Sequence, residues 1–187
     1  MSSEAVIYKE ATLSDVNELA LIMERAKAER DKLPLPQCLT GLQSADYVEW
    51  EMERPDAWTC LAKIGQSAVG VALGYPVLRT GGDAENIDTH HLSLLMVDPN
   101  YWGRGIGRGL LNLTIQHARQ ADRSIVSLWT RETKNDRTRR FYEQRGFVLT
   151  GVSDSEEHSP RVHYELTIKS SPAALVTEKP GKTSELA

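Results

Sequence analysis

The stretch Asn100–Leu111, with the sequence NYWGRGIGRGLL, places four glycines on alternate positions directly before an apolar run. A glycine inside a helix costs about 1 kcal/mol relative to alanine, so four glycines where a helix begins require an explanation. Glycine lacks a Cβ atom and lets another group approach the backbone closely. Arg104 and Arg108 stand between the glycines. We therefore predict that an anionic ligand approaches this helix entrance.

Two phosphate-binding motifs with fixed glycine spacing do not match the stretch. The dinucleotide fingerprint Gly-x-Gly-x-x-Gly/Ala requires glycine or alanine where the chain has Arg108 or Leu110. The P-loop pattern fails at the Gly-Lys-Thr of 181–183, because its first glycine position holds Val176. A strand that ends at Val97, a turn and a helix N-terminus fit better, since the first N–H groups of a helix are unpaired and bind anions. A glycine-rich turn that merely packs helix on sheet is the alternative.

The pattern on either side of the stretch predicts an α/β fold, of the α+β kind, around one mixed and mostly antiparallel sheet. The predicted order is strand, two helices, three strands, helix, strand, helix and two strands. Ser14 is expected to cap the first helix and Ser44 the second, and Gly146 is expected to end the last helix. Residues 1–169 are predicted to form one domain, and the polar, proline-bearing segment 170–187 a mobile tail.

Composition excludes several classes of protein. The net charge of -4 over 187 residues provides no basic face for nucleic acid. The two cysteines lack the short spacing of a zinc site and are too few for a disulfide framework, so no metal is expected. No segment has the roughly 20 apolar residues of a membrane span, and the N-terminus does not resemble a signal peptide. We therefore expect a cytoplasmic protein without a membrane partner.

Two separated segments carry a recognisable pattern, namely LLMVDPNYWGRGIGRGLL, residues 94–111, and NDRTRRFYEQRGF, residues 135–147. They resemble the core motifs of the GNAT superfamily of acetyl-CoA-dependent N-acetyltransferases. In that family a Val-x-Pro strand end precedes Gln/Arg-x-x-Gly-x-Gly/Ala, and a later motif has Asn, a Tyr seven residues on, and Gly-Phe. The matching positions in this chain are Gly105, Gly107, Asn135, Tyr142 and Gly146-Phe147. The resemblance covers roughly residues 5–169.

The resemblance implies an acetyl-CoA site. Leu95, Met96 and Val97 would bind the pantetheine arm as an added strand, and the Val97 N–H would face the thioester carbonyl as it becomes an oxyanion. Asn135 would contact the same arm. The pyrophosphate would lie on the amides of Gly103, Arg104, Gly105, Ile106, Gly107 and Arg108. Trp102 departs from the family, which usually has Gln or Arg there, and we expect its indole to pack on the sheet edge or the cofactor.

The resemblance also assigns the acid–base chemistry. Tyr142 lies at the position of the family's general acid, whose hydroxyl protonates the leaving sulfur. His91 is the candidate base, because related positions carry Glu or His in several branches of the family and histidine titrates near pH 6.5. Strand alternation predicts that His91 shares a face with Leu95 and Val97. Glu132 and a water molecule are the alternatives for the base.

We therefore expect an enzyme that transfers an acetyl group from acetyl-CoA to a primary amine of a small molecule, by direct attack in a ternary complex. The sequence leaves two alternatives open, a protein or peptide N-acetyltransferase and an acyl-CoA-binding module without turnover. It also leaves open a longer acyl donor and a homodimer of the kind found in the family. Tyr47 and Trp50, on the second predicted helix, are candidates for the acceptor pocket.

Overall fold

The computed structural model describes residues 5–32, 41–77, 88–132, 136–154 and 160–168. These residues form one seven-stranded sheet and four α-helices, which confirms the predicted fold class. In chain order the elements are β1 (Val6–Glu10), α1 (Val16–Asp31), α2 (Gly41–Met52), β2 (Trp58–Ile64), β3 (Ser67–Val77), β4 (Thr89–Val97), α3 (Ile106–Gln120), β5 (Ile125–Arg131), α4 (Asp136–Glu143), β6 (Val148–Asp154) and β7 (Arg161–Thr167). Asn135 and the predicted tail 170–187 lie outside the described residues.

The sheet has an opening between its two central strands. The strand order is β1-β2-β3-β4-β5-β7-β6, and β4 and β5 are its parallel pair. This pair is short, since Thr89–Leu92 of β4 lie beside Ile125–Leu128 of β5. Beyond it, β4 stays on β3 as far as Val97 and β5 stays on β7 as far as Arg131. The two strands therefore diverge and leave a cleft between them.

Helices cover both faces of the sheet. On one face α3 packs its apolar side, including Ile106 and Leu110, against Ala72 and Leu128 in one buried cluster. On the other face α1 and α2 form a second cluster with β3 and β4, in which Leu19 and Val48 are fully buried. Among the described residues, no helix is long and apolar enough to cross a membrane.

Two helices begin at residues other than those predicted. Thr12 rather than Ser14 starts the first helical segment, because the Thr12 N–H donates to Asp15 Oδ2 at 3.0 Å and closes a capping box. A short 3₁₀ turn then leads into α1. The second helix begins at Gly41, so Ser44 lies inside α2 and is fully buried. Packing of α2 on the second cluster thus overrides the local capping preference of Ser44.

A β-bulge at Ser93 changes which side chains of β4 share a face. Leu73 of β3 pairs with Leu94 and the next β3 residue pairs with Leu92, so Ser93 is the extra residue. The predicted alternation is therefore wrong across this point. Leu95 and Val97 pack in the α3 cluster, whereas His91 lies against Tyr75 of the opposite cluster, with ring centroids 5.6 Å apart.

The four glycines of the opening stretch have different structural roles. Gly103 and Gly105 adopt φ of 79° and 82°, a region that favours glycine, and Gly105 is the N-cap of α3. Gly109 leaves room for Tyr8 of β1, because a Cβ there would lie 2.0 Å from the Tyr8 Oη. A Cβ on Gly107 would make ordinary contacts of 3.6 Å and longer. Of these four glycines, Gly107 is therefore the one that the backbone conformation and the packing need least.

Candidate functional site

A capped turn connects β4 to the glycine stretch. Asp98 is buried directly after β4, and its Oδ1 accepts the N–H of Asn100 at 2.9 Å. This contact caps the 3₁₀ turn Pro99–Tyr101. Proline is common at the first position of such a turn, because the N–H that proline lacks would have no partner there. The turn thereby fixes where α3 begins relative to the end of β4.

The glycine stretch lines a cavity of about 650 Å³, which we call the arginine cavity. Its walls come from the end of β4, the turn, the first residues of α3 and one side of α4. Four arginines line it, and none of its described lining residues is an aspartate or glutamate. The arginines are Arg104, Arg108, Arg137 and Arg145. A helix N-terminus with four nearby guanidinium groups suits a ligand with several negative charges.

Aromatic rings hold three of these arginines in place. Arg104 lies over Tyr101 at 5.0 Å, Arg137 over Trp102 at 4.9 Å, and Arg145 over Phe141 at 3.8 Å. Burial, and then the charge of Arg108, lowers the pKa of Arg145. Sequence analysis missed Arg145, although its position three residues after Tyr142 on the same helical side offered a signal.

The backbone at the entrance of α3 has N–H groups without a partner inside the helix. The first intrahelical bond after the cap runs from the Gly109 N–H to the Gly105 carbonyl at 3.0 Å. The N–H groups of Ile106, Gly107 and Arg108 precede it and, as in any first helical turn, have no intrahelical acceptor. Gly107 adds no side chain above them. Amides of this kind can donate to the oxygen atoms of an anion, and the anion site at this entrance stays a prediction.

The cleft between β4 and β5 forms a second cavity of about 430 Å³, the splay cavity. Tyr142 of α4 lines both the splay cavity and the arginine cavity. Its ring contacts Phe141 and Phe147, with centroids 5.2 and 5.4 Å away. Burial raises the pKa of the Tyr142 hydroxyl, which is therefore protonated at neutral pH. A buried, protonated phenol at the junction of two cavities can donate a proton to a group that lies there.

Backbone groups near the end of β4 face an open sheet edge because their neighbour strand has diverged. The Asp98 N–H donates to Val69 of β3 at 2.9 Å, so the backbone of Val97 points the other way, to the open edge. Leu95 shares this orientation, whereas the backbone of Met96 points to β3. The Val97 carbonyl already accepts the indole N–H of Trp102 at 2.7 Å. The predicted packing of Trp102 on the sheet edge is thus observed.

A third cavity of about 440 Å³, the histidine cavity, lies on the α2 side of the sheet. It shares Ser93, Trp129 and Arg161 with the splay cavity. Its charged lining residues are Glu51, Arg54, Arg161 and Glu165, two of each sign. The other lining residues are Tyr47, Tyr75, Val77, Thr89, His91, Ser93, Ser127, Trp129 and His163. The three cavities therefore adjoin one another in a row through shared walls.

His91 lies in the histidine cavity and contacts the neighbouring strand. Its Nδ1 is 3.1 Å from Ser127 Oγ, across the parallel pair of β4 and β5. Burial, and then the charges of His163, Arg54 and Arg161, lowers the pKa of His91 to about 4. The expectation of a base that titrates near pH 6.5 is therefore corrected. At neutral pH the imidazole is uncharged and one of its nitrogens can accept a proton.

Other predicted residues occupy varied positions. Glu132 is exposed just after β5, outside the lining of the three cavities in the described part of the chain. Tyr47 lines the histidine cavity, where burial raises the pKa of its hydroxyl to about 12. Trp50 is exposed and lies under Arg54, 4.1 Å from its guanidinium carbon. Sequence analysis missed Glu51 and Arg54, since nothing in their local pattern marks them as site residues.

Comparison with protein families matches the acetyltransferase (GNAT) family over residues 25–147. An uncharacterized N-acetyltransferase of Methanocaldococcus jannaschii is 31% identical over 102 residues. That alignment covers 54% of this chain and 43% of the relative, so the chain matches less than half of that protein's length.

Solved structures show the same fold at low sequence identity. An acetyltransferase of the GNAT family from Staphylococcus aureus is 18% identical with a TM-score of 0.69, and 88% of this chain covers 100% of it. The PaiA N-acetyltransferase of Thermoplasma acidophilum, solved in complex with coenzyme A, is 12% identical with a TM-score of 0.66, over 88% and 99% of the two chains. The ribosomal-protein-S18-alanine N-acetyltransferase of Escherichia coli is 18% identical with a TM-score of 0.67, over 91% and 99%.

Proposed function

This chain belongs to the acetyltransferase (GNAT) family, and we propose that it transfers an acetyl group from acetyl-CoA to a primary amine of a small molecule. The observation that carries the proposal is the row of three adjoining cavities. The arginine cavity suits the phosphates of the donor, the splay cavity suits its reactive end, and the histidine cavity suits the acceptor.

The donor site follows from the charge and shape of the arginine cavity. The amides of Gly103–Arg108 and the four arginines would hold the pyrophosphate. The open edge of β4, at Leu95 and Val97, would bind the pantetheine arm as an added strand, with Met96 holding that edge on β3. Asn135 remains the predicted contact to the same arm. Acetyl-CoA supplies the activated acetyl group as a thioester.

The acid–base roles follow from the protonation states of two buried groups. His91 would take one proton from the neutral amine as the nitrogen–carbon bond forms. In the tautomer that carries its proton on Nδ1, 3.1 Å from Ser127 Oγ, the Nε2 atom would accept this proton. Tyr142 would give its proton to the sulfur as the carbon–sulfur bond breaks. The Val97 N–H would donate to the carbonyl oxygen as negative charge develops. One proton leaves the amine and one reaches the thiol, so the protons balance.

The histidine cavity supports a small polar acceptor. Side chains from α2, β3, β4, β5 and β7 surround it. Its two carboxylates are matched by two guanidinium groups, whereas a polyamine would call for an excess of acidic residues. Arg54 and Arg161 also lie near enough to His91 to lower its pKa.

Titration calorimetry with acetyl-CoA tests the donor site. Gly107→Glu places a carboxylate above the free amides of α3, so we expect wild-type protein to bind and this variant not to bind. Asn112→Glu is the matched control, because Asn112 is exposed on the same helix and the added charge is equal. If the wild-type protein does not bind acetyl-CoA, the proposed function is wrong.

A panel of small amines tests turnover. Each amine is incubated with acetyl-CoA and the protein, and release of the free thiol is followed. We expect thiol release to depend on one class of small amine and to be lost in Gly107→Glu. Binding of acetyl-CoA without release for any small amine, but with release for peptides, would contradict the proposed acceptor class.

A further inference from the structure

Trp102 and Arg137 lie at the junction between the arginine cavity and the splay cavity. Five residues line both cavities, namely Leu95, Trp102, Arg137, Thr138 and Tyr142. These five residues surround the junction. A ligand that has its phosphates on the α3 entrance and its reactive end beside Tyr142 must pass through it. Leu95 belongs to β4, and Arg137, Thr138 and Tyr142 belong to α4. The passage therefore runs between these two elements.

The indole of Trp102 connects the two walls of this passage. On one side its N–H donates to the Val97 carbonyl at the open edge of β4, with 2.7 Å between the atoms. On the other side the guanidinium carbon of Arg137, in α4, lies 4.9 Å from the ring centroid. A ring that is hydrogen-bonded to one wall and stacked on a cation from the other has little rotational freedom. Trp102 thus forms a bridge from β4 to α4.

We propose that Trp102 and Arg137 form a roof over the passage and hold the pantetheine arm of the donor beneath it. This inference rests on the proposed function. The indole occupies the Val97 carbonyl, so the Val97 N–H and the backbone of Leu95 are left for the added strand, and the ring adds an apolar surface above it. The roof slows the release of ligands that carry the arm, whereas ligands that end at the phosphates do not reach it.

Binding of two ligands distinguishes a contact of Trp102 with the pantetheine arm from a role in phosphate binding. Acetyl-CoA carries the arm, and adenosine 3′-phosphate 5′-diphosphate is the same nucleotide without it. We expect Trp102→Ala to weaken acetyl-CoA binding about tenfold, mainly through faster dissociation, because it removes an aromatic contact surface. Binding of the nucleotide without the arm stays within about twofold of wild type. Trp102→Phe keeps the ring and loses the bond to Val97, so its loss for acetyl-CoA is smaller.

Trp50→Ala is the matched control. Trp50 is also exposed and also lies against an arginine, but it is on α2 and lines neither the arginine cavity nor the splay cavity. We expect this variant to bind both ligands as wild type does. Thermal unfolding of each variant, measured in the same buffer, confirms that the fold is intact before affinities are compared.

The following results would contradict the proposed role of Trp102 and Arg137. Unchanged acetyl-CoA binding by Trp102→Ala shows that the indole does not touch the arm. Equal losses for both ligands show that Trp102 instead shapes the phosphate-binding turn. Tighter binding of acetyl-CoA by Trp102→Phe shows that the indole competes with the arm for the Val97 carbonyl. If the wild-type protein binds neither ligand, the proposed function fails as well, which distinguishes that result from failure of the roof alone.

Discussion

Arg25 of α1 and Asp98 at the end of β4 form an ion pair, with 2.8 Å between Nη1 and Oδ2. The side chain of Asp98 is 2% exposed and that of Arg25 is 48% exposed, so the carboxylate is buried and the guanidinium reaches solvent. The other oxygen of Asp98 caps the turn before the glycine stretch. This pair therefore ties the first helix to the strand end and to the turn from which α3 begins.

The Asp98 contacts predict a graded loss of stability. Asp98→Asn keeps an oxygen for the Asn100 N–H and loses the charge pairing with Arg25, whereas Asp98→Ala loses both. We expect the free energy of unfolding to fall by about 2 kcal/mol in Asp98→Ala and by about half as much in Asp98→Asn. Urea unfolding measures both values. Equal losses in the two variants would show that the cap contributes nothing.

The glycines of α3 predict opposite effects of the same substitution at two positions. Gly107→Ala removes a helical glycine without a clash, so stability rises by up to about 1 kcal/mol while acetyl-CoA binding weakens. Gly109→Ala forces a Cβ to within 2.0 Å of Tyr8 Oη, so stability falls by about 1–3 kcal/mol.

A double variant checks the cause of the Gly109 effect. Tyr8→Ala opens the space that the new Cβ would need, so adding Gly109→Ala to it is expected to cost less than adding Gly109→Ala to the wild-type protein. Unfolding free energies of the four proteins give the coupling. If the losses in unfolding free energy of Tyr8→Ala and Gly109→Ala simply add in the double variant, a clash with Tyr8 is not the cause of the Gly109 effect.

Tyr142→Phe tests the proposed role of Tyr142 as the general acid. The ring contacts with Phe141 and Phe147 remain, so the stability is expected to change by less than about 1 kcal/mol. Without the hydroxyl, kcat is expected to fall about 100-fold or more while acetyl-CoA affinity stays near wild type. Steady-state kinetics and calorimetry measure the two quantities separately. A fall in affinity with unchanged kcat would assign Tyr142 to donor binding instead.

The buried histidines predict that stability falls on acidification. Burial, and then nearby positive charge, lowers the pKa of both His90 and His91 to about 4, whereas the unfolded chain titrates near 6.5. Below pH 6.5 the unfolded state therefore binds protons that the folded state does not. Each histidine removes up to about 3 kcal/mol of stability between about pH 6.5 and pH 4. Urea unfolding across this range, in wild type and in His91→Gln, is expected to show a shallower pH slope for the variant.

The lowered pKa of His91 also predicts the shape of the rate profile. Because the imidazole is already neutral above about pH 4, protonation of His91 does not limit the rate near pH 6.5. The rate is expected to rise with pH in proportion to the fraction of the amine substrate that is uncharged. A wild-type profile with an inflection near pH 6.5 that His91→Gln abolishes would contradict the burial of this imidazole.

The sequence by itself predicted the fold class, the order of the elements and the glycine-rich entrance of α3. These features follow from local patterns, namely hydrophobic period, proline and glycine positions, and the left-handed backbone that Gly103 and Gly105 provide. The residues of the histidine cavity were harder to predict, because Glu51 and Arg54 meet His91 through the packing of α2 on the sheet.

The tertiary structure decided which side chains share a cavity and how they are protonated. The bulge at Ser93 put the side chains of His91 and Leu95 on opposite faces of the sheet. A one-residue insertion of this kind depends on pairing with a distant strand. Burial then lowered the pKa of His91 and raised that of Tyr142. Local sequence fixes backbone preference over a few residues, whereas register, burial and dielectric environment depend on chain segments that meet only after folding.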